Sequence, residues 1–210
     1  NMTHSLHRQG KSESLKDDFV LLCTPAKGVN AKGAGKKLKK ILRIILEEGP
    51  ANIGFYGIGS VADGLETEAV IASLDDTSRL RCCFDDRDKL VAAVEKIKKG
   101  NFGLSIVISG GISEVQDLAR ELDLTPHTIH LSCGILGDTD CLPDEPVLEL
   151  STMCGHGLIS HRLASTIIQK TRAGVLDIEK AVAILRKPCT CGIFNPTRAR
   201  GILAAQQNIN

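Results

Sequence analysis

The chain reads as an α/β protein, a layered and mainly parallel sheet flanked by helices, followed by a helical, cysteine-containing C-terminal region. Three observations predict this. From residue 19 to 131, short apolar runs bounded by turn formers alternate with stripes of apolar residues at helical spacing. Beyond Gly157 only helical spacing continues. The 210 residues, 42% hydrophobic and 24% charged, suit one core domain with a small appendage. The expected organisation is a flexible arm over 1–16, an α/β core over 17–156 and a helical region over 157–210 packed on it.

Phe19-Val-Leu-Leu-Cys23 is a short apolar run of the kind found in buried strands. Leu38, Ile41, Leu42 and Ile45 then recur at helical spacing, and Gly49-Pro50 ends that helix. Ile53–Gly57 reads as a second strand, Leu65–Leu74 as a helix and Leu80–Phe84 as a third strand. Leu90, Val91, Val94 and Ile97 form the next helical stripe, ended by Lys98-Lys99-Gly100. Leu104–Ile108 is another strand. Ser113 followed by Gln116 looks like a capping box for a helix through Leu122. Thr128–Leu131 and Val147–Leu150 are further strand candidates. Helices are expected around Leu158–Ile168, around Ile178–Leu185 and from Thr197 to Ala205.

Charge and hydropathy exclude several classes. Lys and Arg number 26 against 25 Asp and Glu, a formal charge of +1, so the basic excess of a general nucleic-acid binder is missing. No apolar run approaches the roughly 18 residues of a membrane span. The first residues carry no apolar core of a secretory signal, which predicts a cytoplasmic protein. No G-x-S-x-G elbow or H-E-x-x-H helix supports a serine hydrolase or a zincin.

Three glycine-rich turns are candidate ligand sites, because parallel sheets bind ligands at the carboxyl ends of their strands. Gly57-Ile-Gly59-Ser60-Val-Ala62 resembles a dinucleotide-binding fingerprint, and Asp85, 23 residues past Ala62, is placed to accept from a ribose hydroxyl. Gly57, Gly59, Ser60 and Asp85 are therefore the candidate cofactor-binding residues, for a nucleotide or an anionic small molecule. Asn30 to Lys37 nearly matches a P-loop. It has Asn30 for the first glycine and Lys37 for the magnesium-binding hydroxyl, so NTP hydrolysis there is rejected and a solvated basic face is favoured. Ser109-Gly110-Gly111 reads as a strand-to-helix connection.

The cysteines carry the strongest signal. Five of the eight, with four of the six histidines, fall between His127 and Cys191. Cys23, Cys82 and Cys83 lie in apolar strands and are assigned to packing. His127 and His130 are expected to flank or face a strand with hydrogen-bonded partners. Cys133, Cys154, Cys189 and Cys191 sit on glycine-flanked turns, spaced Cys133-x20-Cys154-x34-Cys189-x-Cys191. No standard iron–sulfur or zinc spacing matches, so the reading depends on convergence in space. The four are the candidate metal ligands, Cys141 a spare and His156 a substitute for one sulfur. The expected function is a cysteine-ligated metal protein, iron–sulfur rather than zinc, in redox or small-molecule metabolism. A metal-free version makes Cys154 the nucleophile, activated by a following helix N-terminus, and His156 its base. The rivals are a nucleotide- or NAD-binding oxidoreductase using Gly57–Ala62, and a non-enzymatic ligand-binding or oligomerising domain, including a homo-oligomer, whose cysteines merely pack.

Overall fold

A computed structural model describes residues 7–56 and 58–207. Five strands form one sheet: β1 (Phe19–Thr24), β2 (Asn52–Phe55), β3 (Gly59–Ser60), β4 (Leu80–Phe84) and β5 (Ser105–Ser109). Their order is β3-β2-β4-β1-β5, and every neighbouring pair is antiparallel. This corrects the expected mainly parallel sheet. The strand–helix–strand alternation is present, through α2 (Ala34–Glu47) and α4 (Arg87–Gly100). However, β1 and β2 run parallel with β4 inserted between them, and β4 and β5 run parallel with β1 inserted. Parallel strands joined by a crossover need not be neighbours, and in this split β-α-β arrangement none are.

The two sheet faces hold two cores. Phe19, Leu21, Cys23, Cys82 and Phe84 face α2, α3 (Thr67–Ser73) and α4, where Leu38, Ile41, Leu42 and Ile45 are fully buried at i, i+3, i+4 and i+7 spacing. Burial holds Cys23 protonated, its thiol raised to about 12, and pushes Cys82 and Cys83 up as well, in keeping with packing roles. The helix α5 (Ile112–Glu121) follows β5 with Gly111, not Ser113, at its N-cap. Val20, Leu22 and Cys83 face the other way, against α6 (Glu145–Thr152), α7 (His161–Arg172), α8 (Ile178–Arg186) and α9 (Pro196–Gln207).

Two strand candidates fail. Val147–Leu150 lies in α6 and belongs to the helical layer, which therefore begins before residue 157. Thr128–Leu131 has no regular structure and is exposed. A short helix, α1 (Ser12–Leu15), precedes β1. Residues 8–16 lie against the body: Arg8 pairs with Asp18 and donates to the carbonyl of Ile193, and the Gln9 amide donates to Thr152 Oγ1. No helix among the described residues is long and apolar enough to cross a membrane.

Candidate functional site

Folding brings together three of the four cysteines proposed as ligands. Cys154 sits in the turn Met153–Gly157 between α6 and α7, and Cys189 and Cys191 sit in the loop between α8 and α9. All three are buried in the core between sheet and helices, at 2%, 0% and 1% exposure. The Sγ atoms of Cys189 and Cys191 are 3.8 Å apart, and Cys191 Sγ lies 3.6 Å from Nδ1 of His156. Cys154 lies close enough to Cys189 for the two thiols to influence each other's ionisation. Cys133 and Cys141 are instead exposed on the long connection before α6.

The α8–α9 loop is seated on the sheet by close backbone contact. Gly192, at φ +77°, lies so near Gly54 of β2 that a Cβ on either would overlap the other's backbone. The Phe194 carbonyl accepts from Asn52 Nδ2 at 3.3 Å and from the Cys83 thiol at 3.4 Å. Asn195 then caps α9, its Oδ1 accepting from the Arg198 amide at 3.1 Å.

The electrostatics favour thiolate at two of the three sulfurs. The Cys189 S–H bond lowers Cys154 to about 6 against the opposing effect of burial, helped by the backbone N–H groups of Leu158 and His156. Cys191 is likewise lowered to about 6 by Cys189, with the Ile193 N–H assisting. Cys189, beside both, is pushed far up, which favours the thiol there. The expected helix N-terminus is not the cause at Cys154, since α7 starts only at His161. Two arginines flank the cluster: Arg8 lies near Cys189, and Arg81 near Cys191. Arg81 Nε is buried with no hydrogen-bond partner among the described residues. The Tyr56 ring stands 5.7 Å from that of His156.

A thiolate signature follows. In reduced, chelator-treated protein the ultraviolet thiolate absorbance should titrate near pH 6, against an ordinary cysteine midpoint of roughly 8.5. Cys189→Ala should return it towards the ordinary value. A parent midpoint already near the ordinary value would exclude S–H donation from Cys189.

The glycine-turn residues are scattered. Gly59 and Ser60 form β3, paired with β2 in a hairpin and followed by a single 3-10 turn, Val61–Asp63, so among the described residues β2 leads to a strand and not to the start of an α-helix. Gly57 lies outside the described residues. Ser60 Oγ donates to Asp63 at 2.6 Å. Asp85 accepts from Thr197 Oγ1 at 2.6 Å and lies past the start of β2, because Asn52 pairs with Cys83. The glycine turn follows the other end of β2. An antiparallel neighbour thus puts Asp85 and Gly59 at opposite ends of the strand, where a parallel one would have put them at the same end. At the near P-loop, the Asp76 carboxylate accepts from the amides of Gly33 and Gly35, both at 2.8 Å, so the start of α2 already holds the protein's own anion.

Sequence reasoning missed Arg81 and Tyr56. A charged residue inside the apolar run Leu80–Phe84 was a usable signal for the first; nothing marked the second. Among the described residues, no three or more His, Cys, Asp or Glu side chains stand ready-arranged around a common point to hold an ion. The chain matches no protein-family model, and comparison with curated proteins and with solved structures gives no significant match.

Proposed function

We propose that Cys154, His156, Cys189 and Cys191 bind a single tetrahedral metal ion, zinc, which ties the α6–α7 turn to the α8–α9 loop. The observation that carries this reading is the spacing of two ligand pairs, Cys189 with Cys191 and Cys191 with His156. Two thiolates on one zinc at about 2.3 Å lie roughly 3.8 Å apart, and a thiolate and an imidazole nitrogen on it lie about 3.6 Å apart. The separations here are 3.8 Å and 3.6 Å. A four-iron cluster would hold its thiolates wider, around its sulfide core, so the spacing favours one ion over the iron–sulfur expectation. Loading needs the Cys189 proton to leave and the four side chains to turn towards a shared centre.

Charge and burial support the same reading. Two buried thiolates are costly without a cation, and three thiolates with zinc leave a net charge of −1 beside Arg8 and Arg81. The backbone N–H groups directed at Cys154 and Cys191 are outer-shell donors of the kind that orient ligands. Near-complete burial of the sulfurs disfavours a nucleophilic cysteine, which must meet its substrate. Four protein ligands also leave no open position, the mark of a structural rather than a catalytic zinc.

Elemental analysis of protein purified with zinc present is expected to give one zinc per chain, with little iron or sulfide. Cobalt exchange should produce the visible absorption of a tetrahedral cobalt–thiolate site. Cys191→Ser and His156→Ala should each weaken zinc by more than the roughly 10–100-fold that an outer-shell change costs. Cys133→Ser should change nothing. Folded protein that takes up no zinc or cobalt, with these thiols reduced, rules the centre out.

A further inference from the structure

We propose that β5 is a self-association edge, through which two copies of this chain pair antiparallel about a twofold axis at Val107. Among the described residues β5 pairs with β1 alone, and no strand lies on its other side. Edge strands that must stay single are usually blunted by charge, proline or a bulge. Ser105-Ile106-Val107-Ile108-Ser109 carries none of these.

The strand also reads the same in both directions. In an isologous pair, residue i meets residue j and j meets i. Centring the pair on Val107 sets Val107 against its own copy and Ile106 against Ile108, with no charge anywhere along the strand. The faces agree too. Ile106 and Ile108 pack on the core under α2 and α4, and Val107 on the core under the C-terminal helices. A twofold axis perpendicular to the sheet keeps each face with its own kind, so the pair forms one continuous ten-stranded sheet with two unbroken cores.

The surroundings of this edge are apolar. Among the described residues, five of the eleven exposed large hydrophobics lie between residues 112 and 136: Ile112, Ile129, Leu131, Ile135 and Leu136. A cavity of about 510 Å³ runs along β5, walled by the end of α4, by α5 and by Leu124–Leu131. Ile112, Ile129 and Leu131 line this cavity with β5, and exposed apolar surface gathered at one place marks an interaction site. Among the described residues, no backbone–backbone hydrogen bond ties 125–138 to the rest of the chain. That segment is therefore able to move aside and pack across the pair.

The test uses the full chain with Cys133→Ser and Cys141→Ser, which removes the exposed thiols, and adds either Val107→Cys or Ser105→Cys. Opposed residues of an antiparallel pair have Cα atoms roughly 4.5–5.5 Å apart, within disulfide reach. The two copies of residue 105 would stand about 13 Å apart, beyond it. Sedimentation over roughly 1–100 μM should show a monomer–dimer equilibrium, and mild oxidation should give a covalent dimer with Val107→Cys but not with Ser105→Cys. Circular dichroism checks that both variants fold. A chain that stays monomeric throughout, including one whose cavity is filled by a small apolar molecule, overturns the proposal. So does a dimer that crosslinks as readily through residue 105.

Discussion

Replacing Asp18 by asparagine is expected to cost about 3–5 kcal/mol of folding stability at neutral pH, the penalty for removing one partner of a buried ion pair. The Asp18 side chain is fully buried just before β1. It accepts from Arg8, from Arg198 Nη1 at 2.9 Å and from Asn195 Nδ2 at 3.0 Å. Arg198, buried itself, also reaches Glu149 of α6, the Gln9 carbonyl and Ser14. Two cations thus face two carboxylates. Asparagine fills the same space but leaves one positive charge uncompensated in the core. Arg8 also donates to the Ile193 carbonyl, so the loss should loosen the loop carrying Cys189 and Cys191 and lower zinc retention.

The pH dependence has a definite sign. Burial alone would raise the Asp18 carboxyl, but Arg8 and Arg198, with the Asn195 amide, outweigh it and leave it below its ordinary value. A carboxyl lowered in the folded state contributes stability above its unfolded pKa, about 3.9, and loses it as pH falls through the folded value. Denaturation curves of parent and variant should therefore differ most at pH 5–8 and converge on acidification below the unfolded pKa. A difference under about 1 kcal/mol, or one unchanged down to pH 2–3, would show that Asp18 carries no such charge interaction.

Local physics made most elements visible in the sequence. The stripe at Leu38, Ile41, Leu42 and Ile45 and the run Phe19–Cys23 each bury one face or both, and burial writes itself into spacing. Strand neighbours are not written that way. β1-α2-β2 has the same local pattern whether β4 lies between the strands or outside them, so parallel and antiparallel sheets shared one signature here. That ambiguity also produced the nucleotide reading, since Gly59 and Asp85 belong to one site only in a parallel sheet. Val147–Leu150 reads as a strand as easily as a helix because three apolar residues and one acidic one fill only about one helical turn, too few to fix the period. At the candidate site, Cys189 and Cys191 were legible because two thiols in a Pro, Gly and Asn setting are poorly explained by packing. Cys133 shared the glycine but lies on an exposed loop, a difference set by tertiary burial that glycine does not encode. The Asp18–Arg198 pair joins residues far apart in the chain, and no local pattern announces such a partnership.

Gly192→Ala is expected to be the most damaging single methyl in the C-terminal half. The residue holds φ +77°, where a side chain is strained, and its new Cβ would overlap the backbone of Gly54. Backbone strain and overpacking each cost about 1–3 kcal/mol, and here neither neighbour is a side chain able to turn away. The reciprocal change has no φ penalty, yet a Cβ on Gly54 would lie 2.6 Å from the Cys191 carbonyl carbon. Gly28→Ala separates the two causes, because Gly28 has φ +79° with nothing within 4 Å. It should lose only the conformational share. Both Gly192→Ala and Gly54→Ala push the Cys189–Cys191 loop off β2, so they should reduce zinc occupancy in proportion to the stability lost, while Gly28→Ala leaves occupancy intact. Melting temperatures and zinc content measured together decide the matter. If Gly192→Ala matches Gly28→Ala in both, the close approach of the thiol loop to the sheet does not hold that loop in place.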